Sequence, residues 1–146
     1  MAGPQPISPA EVADRMAILD LLHRYCRAID TKDWDLLDQV FTPEAWIDYT
    51  SSGGTKGRFA EVKEWLAVTL VRFAMTQHLV TNVEITLDGD RAASRAYFYN
   101  PMGTARAEGG LDLFFVGGYY VDRLERTPLG WRIAERLEQQ AWVQGR

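Results

Sequence analysis

The spacing of the apolar residues changes near residue 75, and this change limits the folds open to the chain. Before that point apolar side chains recur at every third or fourth residue, which is the pattern of helices that bury one side. After it they alternate with polar residues in runs separated by turn residues, which is typical of antiparallel strands. Helices followed by such a run of strands indicate an α+β fold. The simplest packing places the helices on the concave face of a curved sheet, and the wedge of space between them is either filled by side chains or becomes a pocket.

Three helices are predicted in the first half of the chain. Residues 8–11 (Ser-Pro-Ala-Glu) form a strong helix start, because serine can cap, proline suits the first helical position and glutamate completes a capping box. The first helix is expected to end near residues 30–32. A second is expected from about Asp33 until Pro43 ends it, and a third over residues 59–70. The predicted buried stripe of the first helix contains Val12, Met16, Leu19, Leu22, Cys26 and Ile29, widened by Ile18, Leu21 and Tyr25.

The remaining segments predict strands joined by turns. A short strand is expected over residues 45–49, before a flexible loop rich in serine and glycine. Asp88-Gly89-Asp90 is a hairpin turn signal, and residues 101–110, with three glycines, are expected to form a loop. The predicted later strands cover residues 77–87, 91–100, 111–125 and 131–142. The length suits one domain spanning residues 1–146, with residues 1–7 as a short tail.

Charge and composition argue against several classes of function. Sixteen Lys and Arg against twenty Asp and Glu give a net charge of −4 without a basic block, so nucleic acid is not expected as a partner. No run approaches about 18 apolar residues, so no membrane span is expected. The first nine residues lack the order of a signal peptide, which predicts a cytoplasmic chain. The single cysteine, Cys26, excludes an internal disulfide and a cysteine-based metal cluster.

His78 and Asp30 are the residues best suited to acid–base chemistry, since the other histidine, His23, is predicted on the wet side of the first helix. A histidine oriented by a carboxylate is a competent general base near neutral pH. An acid at a helix C-terminus opposes the helix dipole, which suggests that another group fixes it there. Tyr25 and Tyr49 could donate hydrogen bonds to a carbonyl or a leaving oxygen. The ordinary alternatives are a packed strand-end histidine and a turn-forming aspartate.

Strict strand alternation raises a question about the direction of the His78 side chain. One face of the predicted strand carries His78, Val80, Asn82 and Glu84. The other face, which has the composition of a core face, carries Leu79, Thr81, Val83, Ile85 and Leu87. His78 therefore faces a pocket only if the strand bends or bulges between these residues.

Four stretches of the chain resemble the SnoaL-like branch of the nuclear transport factor two-like superfamily. They are RYCRAIDTKDWDLLDQVFTPEAWIDY, TQHLVTNVEI, GGYYVDRLER and GWRI. The resemblance spans about residues 8–142 and implies a cone-shaped α+β barrel, in which a curved mixed or antiparallel sheet wraps around the N-terminal helices and encloses an apolar pocket. This fold hosts dehydratases, isomerases, hydrolases, cyclases and non-catalytic binders, so the fold does not fix the function.

The resemblance also extends to functional positions of lyases in this group. In scytalone dehydratase and bile acid 7α-dehydratase an Asp at the end of the first helix pairs with a His near the start of a mid-chain strand. Asp30 and His78 match these positions, 48 residues apart, and Tyr25 and Tyr49 match two tyrosines of the bile acid enzyme. Hexachlorocyclohexane dehydrochlorinase has Lys where Tyr25 stands, so an oxygen leaving group is favoured over a halide. Ketosteroid isomerases resemble the chain at Tyr25, but their base falls at Tyr49, one position from Asp48.

Together these features predict a cofactor-independent lyase of the dehydratase type that acts on a bulky apolar hydroxy-carbonyl substrate, such as a steroid or a polyketide. The usual spacings of metal ligands are absent from the sequence, so no metal site is expected. The alternatives are a non-catalytic small-ligand-binding or accessory subunit and a ketosteroid-type isomerase. The predicted walls of the substrate pocket are Trp46, Phe73, Tyr97, Tyr99, Phe115 and Tyr119.

The segment from Leu113 to Val121 is apolar at consecutive positions, so both faces of its strand are apolar. A strand of this kind suggests that one face is covered by another subunit. We therefore expect a homo-oligomer, and the resembled dehydratases favour a trimer over a dimer.

Overall fold

The computed structural model describes residue 3 and residues 5–145, so the predicted tail of residues 1–7 lies partly outside the described residues. The helices are α1 (Pro9–Asp30) and α2 (Phe59–Thr69), with short 3-10 helices at Trp34–Gln39, Thr50–Ser52 and Leu70–Arg72. The strands are β1 (Phe41–Asp48), β2 (Lys56–Arg58), β3 (Met75–Thr76), β4 (Leu79–Asp88), β5 (Arg91–Ala105), β6 (Leu111–Thr127) and β7 (Gly130–Gln144). The predicted α+β class is confirmed.

All seven strands belong to one curved, unclosed sheet with the order β2-β1-β7-β6-β5. Strand β5 continues the sheet by pairing with β4 along its first part and with β3 along its second. The β1–β7 pair is parallel and the others are antiparallel, so the sheet is mixed. Within the part of the chain that the structure describes, neither α1 nor α2 combines the length and the hydropathy that a bilayer-spanning helix requires.

The start and the end of α1 follow local rules. Ser8 Oγ accepts a hydrogen bond from the Glu11 backbone N–H at 3.2 Å, which confirms the predicted cap. At the other end the Asp33 N–H bonds to the Ala28 carbonyl, and the Lys32 N–H bonds to the Ile29 carbonyl, with Lys32 at φ 55°. This pair of bonds is the Schellman motif that closes helices. Asp30 is consequently the last residue of α1.

The buried side of α1 is rotated relative to the predicted stripe. Val12 and Met16 are 48% and 54% exposed, so their prediction as core residues was wrong. Their neighbours Asp14 and Arg15 face the sheet instead, because Asp14 accepts hydrogen bonds from Arg126 and Trp131 and Arg15 donates to the Ile85 carbonyl. The residues that α1 buries are Ile18, Leu21, Leu22, Tyr25, Cys26, Ala28 and Ile29.

The predicted second helix is shorter than expected, and β1 begins before Pro43. The 3-10 helix ends at Gln39, and the Val40 carbonyl already accepts a sheet hydrogen bond from the Ile133 N–H at 2.8 Å. Pro43 is exposed and lies where the pairing of β1 with β7 is interrupted. A proline, which has no N–H to donate, is tolerated at such an interruption, so it does not end the preceding element here.

The first half of the predicted loop over residues 101–110 is strand. β5 continues to Ala105, and the turn that joins it to β6 occupies residues 106–110. Pro101 lies where the neighbour of β5 changes, since Tyr99 pairs with Leu79 of β4 and Met102 pairs with Thr76 of β3. Pairing with β6 across the whole hairpin overrides the local turn signals of this segment.

A bulge in β4 decides which residues of that strand face inward. Thr81 pairs with Tyr97 and Glu84 pairs with Arg95, so two residues of β4 oppose Ala96 alone. Asn82, inside the bulge, has φ 51°, a left-handed conformation that asparagine tolerates better than most residues. The residues on the inner side are therefore His78 and Val80 before the bulge and Val83, Ile85 and Leu87 after it. Leu79 and Thr81, which were predicted on the core face, are exposed.

The bulge gives a testable prediction for stability. Asn82→Val places a β-branched residue at positive φ and should lower the free energy of unfolding by about 1–2 kcal/mol, whereas Asn82→Gly should change it by less than about 1 kcal/mol. Urea unfolding measures both values. Thr81→Val, at the adjacent exposed position, is the matched control and should stay within about 0.5 kcal/mol of the natural chain. Equal losses for Asn82→Val and Thr81→Val would contradict this account of β4.

Candidate active site

A pocket opens between the end of α1, α2 and the inner face of the sheet. It encloses about 750 Å³ of space, part of which is open to solvent. Its apolar lining includes Ile29, Trp65, Leu66, Leu70, Phe73, Met102, Phe114 and Val116. Its polar lining includes Tyr25, Tyr49, His78, Asn100, Tyr120 and Glu138. The pocket combines apolar walls with a few convergent polar groups, which is the usual character of a small-molecule site.

The structure brings Asp30 and His78 into contact at the edge of this pocket. His78 Nδ1 lies 2.6 Å from Asp30 Oδ1, and the His78 backbone N–H donates to Asp30 Oδ2 at 2.8 Å. The Thr76 hydroxyl donates to Asp30 Oδ1 at 3.0 Å. The side chains of His78 and Asp30 are 8% and 22% exposed. Three donors, one at the end of β3 and two on His78 just before β4, thus hold the carboxylate at the end of α1.

These contacts determine the protonation of the pair. Burial raises the pKa of Asp30, but the hydrogen bonds from His78 and Thr76 and the charge of His78 outweigh burial and hold that pKa below its ordinary value. An ionised carboxylate only accepts hydrogen bonds, so Nδ1 of His78 carries the proton. In the uncharged form of this ring, Nε2 is the nitrogen that can accept a proton. A histidine oriented in this way can act as a general base.

Tyr25 and Tyr49 form a second pair in the pocket. Their hydroxyl oxygens lie 2.9 Å apart, and the Tyr25 ring meets the His78 ring edge-on with centroids 6.3 Å apart. Burial raises the pKa of both phenols well above the usual value, so both remain neutral donors. Asp48, by contrast, does not line the pocket, and its carboxylate accepts two hydrogen bonds from Thr50.

A buried ion pair lies beneath the tyrosines, and the sequence reasoning missed it. Arg136 on β7 donates to Asp122 on β6 at 2.8 and 2.7 Å, and the two residues are 0% and 1% exposed. The guanidinium carbon of Arg136 lies 4.2 Å from the Tyr25 ring centroid and 4.1 Å from that of Tyr120, as in cation–π contacts. One signal was available, because Asp122 alternates in sequence with Tyr120 and Leu124 and so shares their buried face.

Glu138 and Asn100 were also missed, and both line the pocket. Glu138 is 8% exposed and Asn100 is 4% exposed. Burial raises the pKa of Glu138 to about 7, although the nearby Ser52 hydroxyl and the Arg136 guanidinium act in the opposite direction. Like the ion pair, these residues lie on the inner face of their strands, where the sequence pattern led us to expect apolar side chains.

Of the six predicted wall residues, Phe73 lines the pocket and the other five do not. The prediction was wrong for Trp46, Tyr97, Tyr99, Phe115 and Tyr119. The reason is alternation, because Phe98, Asn100, Phe114, Val116 and Tyr120 occupy the inward positions of β5 and β6. The displaced aromatic residues pack with one another on the outer face, where the Tyr99 ring stacks on Phe115 and contacts Trp142.

No group of three or more His, Cys, Asp or Glu side chains that could hold a metal ion occurs among residues 3 and 5–145. His78 and Glu138 line the pocket, and Asp30 contacts His78 without being part of the lining.

The family follows from a comparison with known protein families. The model of the SnoaL-like domain matches residues 10–137, which is most of the chain. The chain belongs to the SnoaL-like domain family. This confirms the resemblance drawn from the four sequence stretches, and the matched residues include every element from α1 to the middle of β7.

Known relatives of this SnoaL-like chain agree with the assignment. It is 43% identical over 132 residues to the uncharacterised protein Rv2910c of Mycobacterium tuberculosis, covering 90% of this chain and 88% of the relative. A proposed aromatic ring hydroxylase from Novosphingobium aromaticivorans has a solved structure with 30% identity and a TM-score of 0.81, covering 92% of this chain and 94% of that one. A proposed scytalone dehydratase from the same species is 15% identical with a TM-score of 0.83, covering 96% and 92%, which shows a shared fold.

The buried ion pair gives a second prediction for stability. Asp122→Asn leaves Arg136 buried without its counter-charge and should lower the free energy of unfolding by about 3–5 kcal/mol. Glu135→Gln is the matched control, because Glu135 pairs with Arg123 where both side chains are largely exposed, and it should cost no more than about 1 kcal/mol. Chemical unfolding of both variants tests the difference, and similar small losses would contradict a structural role for the Asp122–Arg136 pair.

Proposed function

We propose that this chain is a cofactor-independent lyase that removes water from a bulky apolar substrate carrying a hydroxyl near a carbonyl, such as a steroid or a polyketide. The observation that carries the proposal is the contact between His78 and Asp30 at the edge of the pocket, with Nδ1 2.6 Å from Oδ1. Elimination next to a carbonyl requires a base for the acidified C–H and donors for the oxygens, and needs no nucleophile.

In the proposed reaction, Nε2 of His78 removes the proton from the carbon beside the substrate carbonyl. Asp30 holds the ring in the required tautomer and stabilises the imidazolium that forms. The hydrogen bonds from Thr76 and from the His78 backbone fix the carboxylate while this charge develops. The base is thus preorganised before the substrate enters.

The Tyr25–Tyr49 pair is proposed to polarise the substrate carbonyl. Both phenols are neutral, and hydrogen-bond donors of this kind stabilise negative charge that develops on an oxygen. The apolar residues of the pocket, among them Phe73, Trp65 and Phe114, would bind the hydrocarbon part of the substrate.

Turnover of a naphthyl-substituted β-hydroxy ketone tests this function, because its dehydration yields a conjugated enone that absorbs strongly in the ultraviolet. His78→Ala and Asp30→Asn should each lower kcat/KM by about 10²–10⁴-fold, the usual contribution of a general base. Circular dichroism and thermal unfolding should show that both variants remain folded. His23→Ala, at the exposed histidine of α1, is the control and should keep full activity. Near-full activity of either site variant would refute the assignment of the base.

The second candidate function is that of a non-catalytic ligand-binding or accessory subunit. It draws support from the pocket itself, because apolar walls with a few polar groups bind a small molecule whether or not a reaction follows. In that case the affinity for the naphthyl enone would survive His78→Ala and Asp30→Asn, the natural chain would not turn over the β-hydroxy ketone, and the protein would copurify with a larger chain.

We also propose that the chain forms a homo-oligomer, a trimer or a dimer, through the outer face of its sheet. Large apolar side chains on this face are 38–44% exposed, namely Leu79, Tyr97, Tyr99, Leu113, Leu137 and Trp142. A contiguous aromatic face of this kind fits a second copy of the same surface.

Tyr99→Glu should dissociate this oligomer, because it places a charge at the centre of the stacked rings. Light scattering at micromolar concentration should give a multiple of the monomer mass for the natural chain and a smaller mass for the variant. Val68→Glu, at a 71% exposed position on α2, is the control and should leave the mass unchanged. A monomeric natural chain, or a Tyr99→Glu variant with an unchanged mass, would refute the proposed interface.

A further inference from the structure

A second polar group faces the pocket from strands β5 and β7, and the proposed steps above leave it unused. It consists of Asn100 and Glu138, both more than nine-tenths buried. Three buried atoms of the pocket lining have no hydrogen-bond partner at ordinary geometry among the described residues, namely Asn100 Oδ1, Glu138 Oε1 and the Oγ of Ser52, which lies close enough to Glu138 to lower its pKa. Buried polar atoms are nearly always paired in folded proteins, so three unpaired atoms lining one cavity point to a ligand that pairs with some of them.

The backbone around Glu138 is fixed by the loop that follows β1. The Ser51 hydroxyl donates to the Glu138 carbonyl at 2.8 Å and accepts from the Gln140 N–H at 2.9 Å. Ser51 therefore joins this loop to the backbone of β7 at Glu138 and at Gln140. These two bonds fix the backbone of Glu138, so the position of its carboxyl group at the pocket is set by the fold.

The surroundings of Glu138 favour its neutral form. Burial raises its pKa to about 7, so a large fraction of Glu138 carries a proton at neutral pH. Arg136, paired with Asp122, acts in the opposite direction without overcoming burial. The charged and titratable groups near Glu138 are Arg136 on β7, Asp48 on β1, Tyr25 on α1, Tyr49 after β1 and Tyr120 on β6.

The proposed elimination needs a donor at each of two oxygens, and the tyrosine pair can supply a donor for only one. The hydrogen bond between Tyr25 and Tyr49 uses one of their two hydroxyl protons, so the pair can donate one hydrogen bond to a ligand. Loss of a hydroxyl next to a carbonyl develops charge on two oxygens, the carbonyl and the leaving group. Burial raises the pKa of Tyr120 well above the usual phenol value, so its hydroxyl is a poor acid. A second acidic donor is required.

Building on the proposed lyase function, we propose that Glu138 is the general acid that protonates the leaving hydroxyl and that Asn100 positions that hydroxyl. A hydroxyl both donates and accepts, so it matches the Asn100 Oδ1 acceptor and the protonated Glu138 carboxyl. Its hydrogen would bind Asn100 Oδ1, while its oxygen would accept from the protonated Glu138 carboxyl. The subsite thus selects substrates whose leaving group is a hydroxyl.

The proposed step balances without any co-reactant. The C–H bond breaks as Nε2 of His78 takes the proton, and its electron pair forms the C=C bond. The C–O bond breaks, its electron pair stays on oxygen, and the proton of Glu138 converts that oxygen to water. The hydroxy ketone becomes an enone and water. The proton gained by His78 is released to solvent, and Glu138 takes one back.

The test compares Glu138→Gln with the natural chain on two substrates, the naphthyl β-hydroxy ketone and its acetate ester at the same hydroxyl. Acetate leaves without protonation, so the variant should lose at least about 100-fold in kcat/KM on the hydroxy ketone and much less on the ester. Glu135→Gln, on the outer face of the same strand, should match the natural chain on both. An equal loss on both substrates would mean that Glu138 is only structural, and the inference would fail while the lyase function stood.

The pH profile gives a second readout that a structural role would not move. A general acid acts only when protonated, so kcat/KM of the natural chain should fall as pH rises through about 7. Glu138→Gln should remove this fall, at a lower rate throughout. A fall that persists in the variant would overturn the assignment.

An NMR measurement that requires no turnover tests the role of Glu138 separately from the proposed lyase function. In protein labelled with carbon-13 at the glutamate carboxyls, the resonance missing from Glu138→Gln identifies Glu138. It should titrate near neutral pH and shift when a saturated naphthyl alcohol, which cannot eliminate, is added. If the natural chain turns over neither substrate, the lyase function fails, and this shift alone supports Glu138 as a hydroxyl donor. Titration at the ordinary glutamate range with no shift overturns the inference.

Discussion

The carboxylate of Asp30 is the point on which the site depends. It ends α1, where the negative end of the helix dipole disfavours an anion, and its side chain is only 22% exposed. Three hydrogen bonds from Thr76 and His78 offset both costs and keep the carboxylate ionised. The same bonds fix the tautomer of His78, so the interaction that attaches the sheet to the helix also prepares the base. Lys32 strengthens the junction by donating to the Phe73 carbonyl at 2.7 Å.

The inner face of the sheet carries a buried ion pair that supports the junction between α1 and the sheet. Two hydrogen bonds join Arg136 to Asp122 through Nε and Nη2, while Nη1 has no hydrogen-bond partner among the described residues. The guanidinium lies against the rings of Tyr25 and Tyr120. A buried pair contributes little net stability compared with apolar residues of equal volume, yet it is costly to break. Its value here is that it holds the phenols in one place. The pocket therefore has a rigid polar floor and apolar walls.

The sequence was sufficient for the α+β class, the cap at Ser8 and the end of α1, because these follow from periodicity and local hydrogen bonds. The pairing of Asp30 with His78 came from family resemblance, since no local rule joins residues so far apart. The inward direction of His78 depends on the bulge at Asn82, which forms against β5 and cannot be read from β4 alone. The outward aromatic residues were wrongly predicted to line the pocket, because the size and hydrophobicity of a side chain do not show which face of the sheet it points to. Asp122, Arg136 and Glu138 were missed because charge usually indicates exposure.

The separation of Asp30 and His78 along the chain has a consequence for how the protein acquires its site. The two residues meet only after α1 has docked and the segment before β4 has joined β5, and α1 is also attached to the far end of β6 through Asp14 and Arg126, 112 residues apart. Closing such long loops is a slow part of folding, whereas the helix can form early. During refolding, helical signal should thus return ahead of the His78–Asp30 contact, and a nascent chain still lacking its C-terminal hairpin would have a helix but no assembled pocket.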